Sequence, residues 1–323
     1  MDTVAPVPLS TITALTIGEG LEDLHPVTIQ GGAETVYAST GALYVTATRW
    51  DGNGPSTDVH RFSLDGDGPA TYTGSGRVPG HLLDQFSLSE HDGALRVVTT
   101  AAGAAGTEGR LAVLDTDGDV LDELGHVDGM GIGEEVKSVR FLGDLGYVVT
   151  FRTTDPLYAL DLSDPRAPRV LGELKIPGFS EYLHPVGDGL LLGVGRQADP
   201  MTGVDTGFKV SLLDISDPAA LAEVDQLVVP GGFSPVGSDH KAFHWDPGRR
   251  QAVVPVEGLG GWPGAAMVLR IADHRLEQVA ELRHPGALPI RAVVVDGDLW
   301  TVSHLGLGRT SADAPADPAF IGF

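Results

Sequence analysis

The sequence predicts an all-β repeat protein, on three observations: dense glycine and proline punctuation, short alternating apolar runs, and a period of about fifty residues. Of 323 residues, 44 are glycine and 22 proline, too many helix breakers for long helices. The chain is 42% hydrophobic and 20% charged, which is apolar enough to bury a sizeable core.

The first element is a hairpin. Thr35-Val36-Tyr37-Ala38 turns at Gly41 into Leu43-Tyr44-Val45-Thr46. The same shape returns at Gly93 (86–100), Gly143 (139–150), Gly187 (182–194), Gly248 (242–256) and Gly297 (292–302). These glycines lie 44 to 61 residues apart, and a strand-only repeat of that length is the signature of propeller blades.

A second hairpin alternates with the first. Its clear copies run from Leu157 through Asp161-Leu162-Ser163-Asp164-Pro165 and from Val210 through Asp214-Ile215-Ser216-Asp217-Pro218. Looser copies occupy 59–78, 111–127 and 267–282. Asp and Ser side chains bond turn amides, and proline fixes φ where no ladder donor is needed.

Six hairpins of the first kind meet only five of the second, because no strand is read after Gly306. Segments 11–17 and 25–30 supply the missing pair. The expected fold is therefore a six-bladed β-propeller whose N-terminal and C-terminal hairpins share one blade, with seven blades as the alternative. Sharing would remove two open sheet edges. One domain is expected over 1–308, followed by an irregular or disordered Ala/Asp/Pro-rich tail over 309–323.

Charge narrows the partners. Lys and Arg number 21 against 44 Asp and Glu, a net of −23, and such a field repels phosphate backbones and anionic lipid surfaces. Nucleic acid is not an expected partner. No apolar run approaches ~18 residues, so no transmembrane segment is expected. Met1-Asp2-Thr3 opens no signal peptide. Cysteine is absent, which excludes disulfides, thiol catalysis and thiolate metal sites. The oligomeric state is left open.

In a propeller the first strand of each blade lines the central channel. Those strands offer Glu34, Asp84, Lys137, Arg140, Tyr182, His184, Asp239, His240, Lys241 and Arg291. Strand alternation would put Tyr182 with His184 on one face, and Asp239 with Lys241 opposite His240. The bland reading is a plug of satisfied polar pairs; the sharper one is a channel mouth that binds a small anion or a cation. His240 and His244, four apart on a strand, would stand ~13 Å apart, so no zinc site is expected. Asp115-Thr116-Asp117-Gly118-Asp119 begins like a calcium loop, but its glycine comes early and no glutamate closes it. The expectation is no cofactor, with Ca2+ in the channel as the alternative. No Gly-x-Ser-x-Gly elbow is present, and the glycine-rich stretches 129–133 and 258–264 do not join a strand to a helix. No catalytic residue is assigned.

Insertions at 50–58, 101–110, 197–208 and 257–266 join second to third strands, so they should emerge on one face. Arg49, Trp50, Arg152, Arg196 and Trp262 cluster near their bases, and Arg152 with Asp155 is expected to be ordered and partnered. Tryptophan and arginine are the types enriched in binding hot spots.

The middle of the chain carries longer words: Val139-Arg140-Phe141, Val148 through Leu157, Gly172 through Ser180, Tyr182-Leu183-His184-Pro185, Lys209-Val210-Ser211-Leu212, and Asp239-His240-Lys241-Ala242-Phe243. These resemble a family of prokaryotic secreted or surface proteins with a C-terminal β-propeller distantly related to WD40 repeats. The resemblance covers most of 33–304 and is strongest over 136–256. It implies the fold and an extracellular or cell-surface setting, and supplies no reaction. The function expected is a non-enzymatic extracytoplasmic binding or scaffolding module that recognises a protein or glycan through its long-loop face. The alternative is a metal-assisted hydrolase or lactonase-like enzyme at the channel mouth, by analogy of fold alone.

Overall fold

The structure is a computed structural model that describes residues 9–12, 26–52, 54–64, 70–152, 155–259, 261 and 263–323. Trp262, residues 13–25 of the N-terminal pair and the turn at 65–68 lie outside the described residues. The chain divides into two compact units, Met1–Tyr147 with Leu160–Val170, and Val148–Ala159 with Leu171–Phe323.

The first unit opens with a two-stranded sheet, β1 (Leu9–Ile12) against β2 (Val27–Gln30). Its first four-stranded sheet is β3 (Thr35–Ala38), β4 (Ala42–Asp51), β5 (Gly54–Ser63) and β6 (Thr71–Pro79). The second is β7 (Leu88–His91), β8 (Ala94–Gly103), β9 (Gly106–Asp115) and β10 (Glu123–Met130). A third, divided between the units, is β11 (Glu135–Leu142), β12 (Leu145–Phe151), β13 (Asp155–Asp161) and β14 (Arg169–Ile176). The second unit adds β15 (Phe179–Gly187), β16 (Leu190–Ala198), β17 (Asp205–Asp214) and β18 (Ala222–Pro230). Then come β19 (His244–Asp246), β20 (Gln251–Val256), β21 (Ala265–Ala272) and β22 (Arg275–Leu282). Last are β23 (Arg291–Val295), β24 (Asp298–Ser303), β25 (Gly306–Ser311) and β26 (Ala319–Gly322). The described residues thus hold six four-stranded sheets, each paired in chain order, and no α-helix.

All six repeat glycines fall at or beside the turn between the first two strands of a sheet, as their spacing predicts. The Asp-x-Ser-Asp-Pro words turn as read. Asp161 Oδ1 accepts from the Ser163 amide at 3.1 Å and its hydroxyl at 2.6 Å, and Asp214 repeats this with Ser216 at 3.0 and 2.6 Å. Asp115 likewise accepts from the Asp117 amide at 2.9 Å.

Central strands are buried on both faces, so they read as continuous apolar runs; all six residues of β20 are buried. Tyr44, Val59 and Val78 of the first sheet pack on Leu95, Val97 and Leu114 of the second. Each such side chain contributes roughly 1.5–3 kcal/mol when fully buried. Val253, Val268 and Leu282 pack on Leu299 and Ala312 in the same way. β2 docks Ile29 on Val45 and Phe62.

Three expectations are corrected. The last sheet does not borrow strands from the N-terminus: β25 and β26 complete it, and β1 pairs with β2. Residues 309–323 are accordingly not an irregular tail, since Arg309 lies on β25 and the chain ends on β26. The physical reason is close packing. A Cβ on Gly306 would stand 2.2 Å from the Ile321 carbonyl oxygen, and one on Gly308 2.7 Å from Thr301 Oγ1, so these strand positions need glycine and lose the apolar alternation. Finally, 50–58 and 101–110 are not long loops. β4 and β5 pair out to Asp51 and Gly54, and β8 and β9 to Gly103 and Gly106. Positive φ at Gly54 (108°) and Gly106 (132°) closes both tips tightly.

Candidate functional site

In the first unit, Asp84 caps a short 3-10 turn, Gln85–Ser87, by accepting from the Phe86 amide at 2.8 Å. The turn holds Phe86 under Arg140 of β11, whose guanidinium carbon lies 4.2 Å from the ring centroid. Tyr37, Ser89 and Phe141 join them around a cleft of about 360 Å³. Such a cation–π contact contributes ~0.5–2 kcal/mol. Lys137 is taken up by Glu135 at 2.9 Å, and that lysine's hydrogen bond and charge hold the Glu135 carboxyl below its usual range.

In the second unit six of the predicted residues converge. Asp239, His240 and Lys241 do not lie on a strand, contrary to the alternation expected. Asp239 caps a 3-10 turn, His240–Ala242, by accepting from the Lys241 amide at 3.1 Å, and β19 begins only at His244. Like Gln85–Ser87, the turn is a three-residue 3-10 turn capped by an Asp side chain just before a sheet's first strand. It stacks His240 on Tyr182 of β15, ring centroids 6.4 Å apart. Tyr182 Oη is 3.0 Å from His184 Nδ1, and Phe243 packs 5.3 Å from Tyr182 and 4.8 Å from His184. Trp245 adds a ring 6.3 Å from His184. Arg291 of β23 pairs with Asp239. Burial by itself pushes the Asp239 carboxyl up, but the Arg291 guanidinium and the Lys241 amide outweigh it and hold the group below its usual range. Lys241 is exposed. Trp245 was not singled out by the sequence, and the half-buried His244 beside it was weighed only as a metal ligand.

The hairpin tips carry the remaining candidates. Trp50 is 73% exposed, and its ring lies over His81 at 5.8 Å. Behind the tip, Asp58 is shared by Arg49 and by Arg77 at 2.6 Å. Ile132, in the turn after β10, is 60% exposed. In the second unit, Arg196 lies 5.2 Å from the Phe233 ring, donates to the Gly232 carbonyl at 3.2 Å and to Asp205 at 2.7 Å. The loop between β16 and β17 exposes Met201 (93%) and Val204 (62%). Arg152 is exposed just after β12, and Asp155 is the first residue of β13, a strand position whose side chain lies outside the described residues.

A carboxylate held by arginine stays ionised and is a poor proton donor. Asp239 and Asp58 are both so held.

Comparison with known proteins settles the family. A family model described as "Beta propeller domain" matches residues 2–313. The chain belongs to this family. Its propeller sequence is 37% identical over 232 residues to "Uncharacterized protein MJ1554" of Methanocaldococcus jannaschii, covering 71% of this chain and 35% of that protein. An "Uncharacterized protein" of Archaeoglobus fulgidus is 43% identical over 190 residues, 59% of this chain and 28% of its own. The propeller domain thus spans about a third of the length of these relatives. Among solved structures, Sqt1 from Chaetomium thermophilum is similar in fold, with 13% identity, a TM-score of 0.50, and coverage of 74% of this chain and 61% of that one. The β-propeller domain of the trilobed protease from Pyrococcus furiosus aligns over 90% of this chain and 83% of its own, with 8% identity and a TM-score of 0.46. No helix among the described residues is long and apolar enough to cross a membrane.

Proposed function

We propose that this propeller domain is a non-enzymatic binding or scaffolding module, extracellular or at the cell surface, that recognises a partner protein through its second-to-third-strand tips. In this reading the six four-stranded sheets are its six blades. One observation carries it: apart from the C-terminal residues, the three most exposed large apolar side chains, Met201, Trp50 and Val204, lie at second-to-third-strand tips, with Ile132 of the β10–β11 turn next. Trp50 and Ile132 belong to the first unit and Met201 and Val204 to the second, and exposed apolar side chains of this kind, a tryptophan above all, are typical of binding hot spots. The lysine-poor, acidic composition and the resemblance to secreted proteins support the setting. Metal-assisted hydrolysis at the Asp239–His240 corner would need both groups to converge on a cation, whereas Asp239 is held by Arg291.

The test compares the parent chain with Trp50→Ala and Met201→Glu, each immobilised and challenged with the surface proteins of the producing cell and with a glycan array. We expect one protein to be retained by the parent and at least tenfold less by each variant, at unchanged melting temperature. Equal retention by parent and variants, or retention of a glycan instead, would remove the reading.

A further inference from the structure

Turns of successive sheets are joined by ion pairs and hydrogen bonds, several of them made by arginine. Asp188, in the β15–β16 turn, meets Arg250 of the β19–β20 turn at 2.6 Å. Arg249 of that same turn meets Asp313, beyond β25, at 2.6 Å. Glu90 of β7 accepts from Ser39 of the β3–β4 turn and lies 3.5 Å from Arg61.

One clasp of this series has no arginine in it. His91 and Asp92 at the β7–β8 turn meet Asp144 of the β11–β12 turn, all three within the first unit. His91 Nε2 lies 3.1 Å from Asp144 Oδ1 and 3.7 Å from Asp92 Oδ2, and one donor atom from each residue falls within 4.8 Å of the others. The nearest guanidinium in this corner, Arg96, is buried and committed: it donates to the Gly143 carbonyl at 2.5 Å and to Ser89 at 2.7 Å, and stacks on Phe141. Arg96 is within electrostatic reach of both carboxylates, but its hydrogen bonds go elsewhere, so the imidazole is the group that Asp92 and Asp144 share.

We propose that His91, Asp92 and Asp144 bind a first-row divalent metal ion, Zn2+ by class, which staples the second sheet to the third. Ligand atoms bonded at ~2.0–2.1 Å to a tetrahedral ion stand ~3.3–3.4 Å apart, midway between the two distances given above. One imidazole and two carboxylates suit zinc or manganese, while an all-oxygen set would favour calcium or magnesium. Asp92 and Asp144 are 88% and 62% exposed, so ions enter freely and the remaining position faces solvent. His126 provides the internal contrast. It too has two carboxylates, but Glu123 lies 2.7 Å from Nδ1 and Asp128 3.4 Å from Nε2, and Arg110 already bridges both.

The experiment strips the full chain with a chelator, then titrates it with Zn2+ by calorimetry and with Co2+ by visible absorption. One equivalent should bind, with the absorption of a nitrogen–oxygen site of low coordination number and a rise in melting temperature. His91→Ala and Asp144→Asn should each weaken binding at least tenfold, and His126→Ala should leave it unchanged. Asp144 is exposed and His91 half-buried, and metal-free melting temperatures equal to the parent's verify that the variants fold. Absence of saturable binding, or binding that persists in both His91→Ala and Asp144→Asn, overturns the proposal.

Discussion

His284 shows how one side chain can fasten a sheet. It is 3% exposed, with Nδ1 2.8 Å from Ser303 Oγ and Nε2 2.8 Å from Thr301 Oγ1, and the Phe320 ring 4.9 Å away. A neutral ring donates through one nitrogen and accepts through the other, so both hydroxyls are satisfied. Burial holds its pKa below the ordinary 6.5. The unfolded chain therefore takes up the proton first as pH falls. Stability is full above about pH 6.5 and declines below it. His244, also lowered by burial, acts in the same direction. The melting temperature should drop between pH 7 and pH 5, and less so in His284→Gln; a flat profile in the parent would contradict this account. At pH 7, His284→Ala should cost about 2–4 kcal/mol by denaturant unfolding, because it strands two buried hydroxyls and opens a cavity. Asp161 titrates far from this range. Its Ser163 and Arg169 partners hold it at about 2, so its stabilisation is complete above its ordinary 3.8 and is lost only as pH falls through about 2. The Asp161 partnership was legible in Asp-Leu-Ser. That of His284 was not, since its hydroxyl partners lie 17 and 19 residues away.

Among elements, the turns were readable and the strand ends were not. A turn is local chemistry, so Gly93, Gly143 and the Asp-x-Ser-Asp-Pro words announced themselves. Strand extent depends on what packs alongside, and β4, β5, β8 and β9 run further than their polar, glycine-containing ends suggested. β25 and β26 are the sharpest case. Gly306 and Gly308 hide a strand because neighbouring backbone and side chains fill the space where a Cβ would be. Deleting 312–323 therefore removes an integral strand together with the Phe320 cover over His284. The shortened chain should melt lower by more than about 5 °C in calorimetry, several kcal/mol at this size. An unchanged melting temperature would restore the reading of a dispensable tail.

For the whole molecule, the period of the repeat disclosed the fold class, whereas the candidate sites depend on which turns meet, and no spacing rule conveys that. His91, Asp92 and Asp144 are separated by about fifty residues in the chain, and Asp239 and Arg291 likewise, so each pairing needs neighbouring sheets to be in place. Charge acts globally as well. Even if each of the 21 Lys and Arg side chains held a carboxylate, 23 acidic groups would remain without a cation. Repulsion among them should outweigh the surface ion pairs, which contribute ~0–1 kcal/mol each. Raising NaCl shortens the screening length from ~30 Å at 0.01 M to ~10 Å at 0.1 M, so the melting temperature should rise over that range. A fall would mean that the arginine–carboxylate pairs dominate.

Because the final sheet is finished by its own C-terminal strands, every four-stranded ladder is written in one uninterrupted stretch of chain. Neighbouring sheets then meet through side chains and a few backbone bonds, such as the Ser75 amide to the Asp119 carbonyl at 3.1 Å and the Leu121 amide to the Ser75 carbonyl at 3.0 Å. An in-frame duplication or loss of one such stretch would leave the hydrogen-bond ladder of each remaining sheet intact, so a variant with one sheet more or fewer is a single recombination event away.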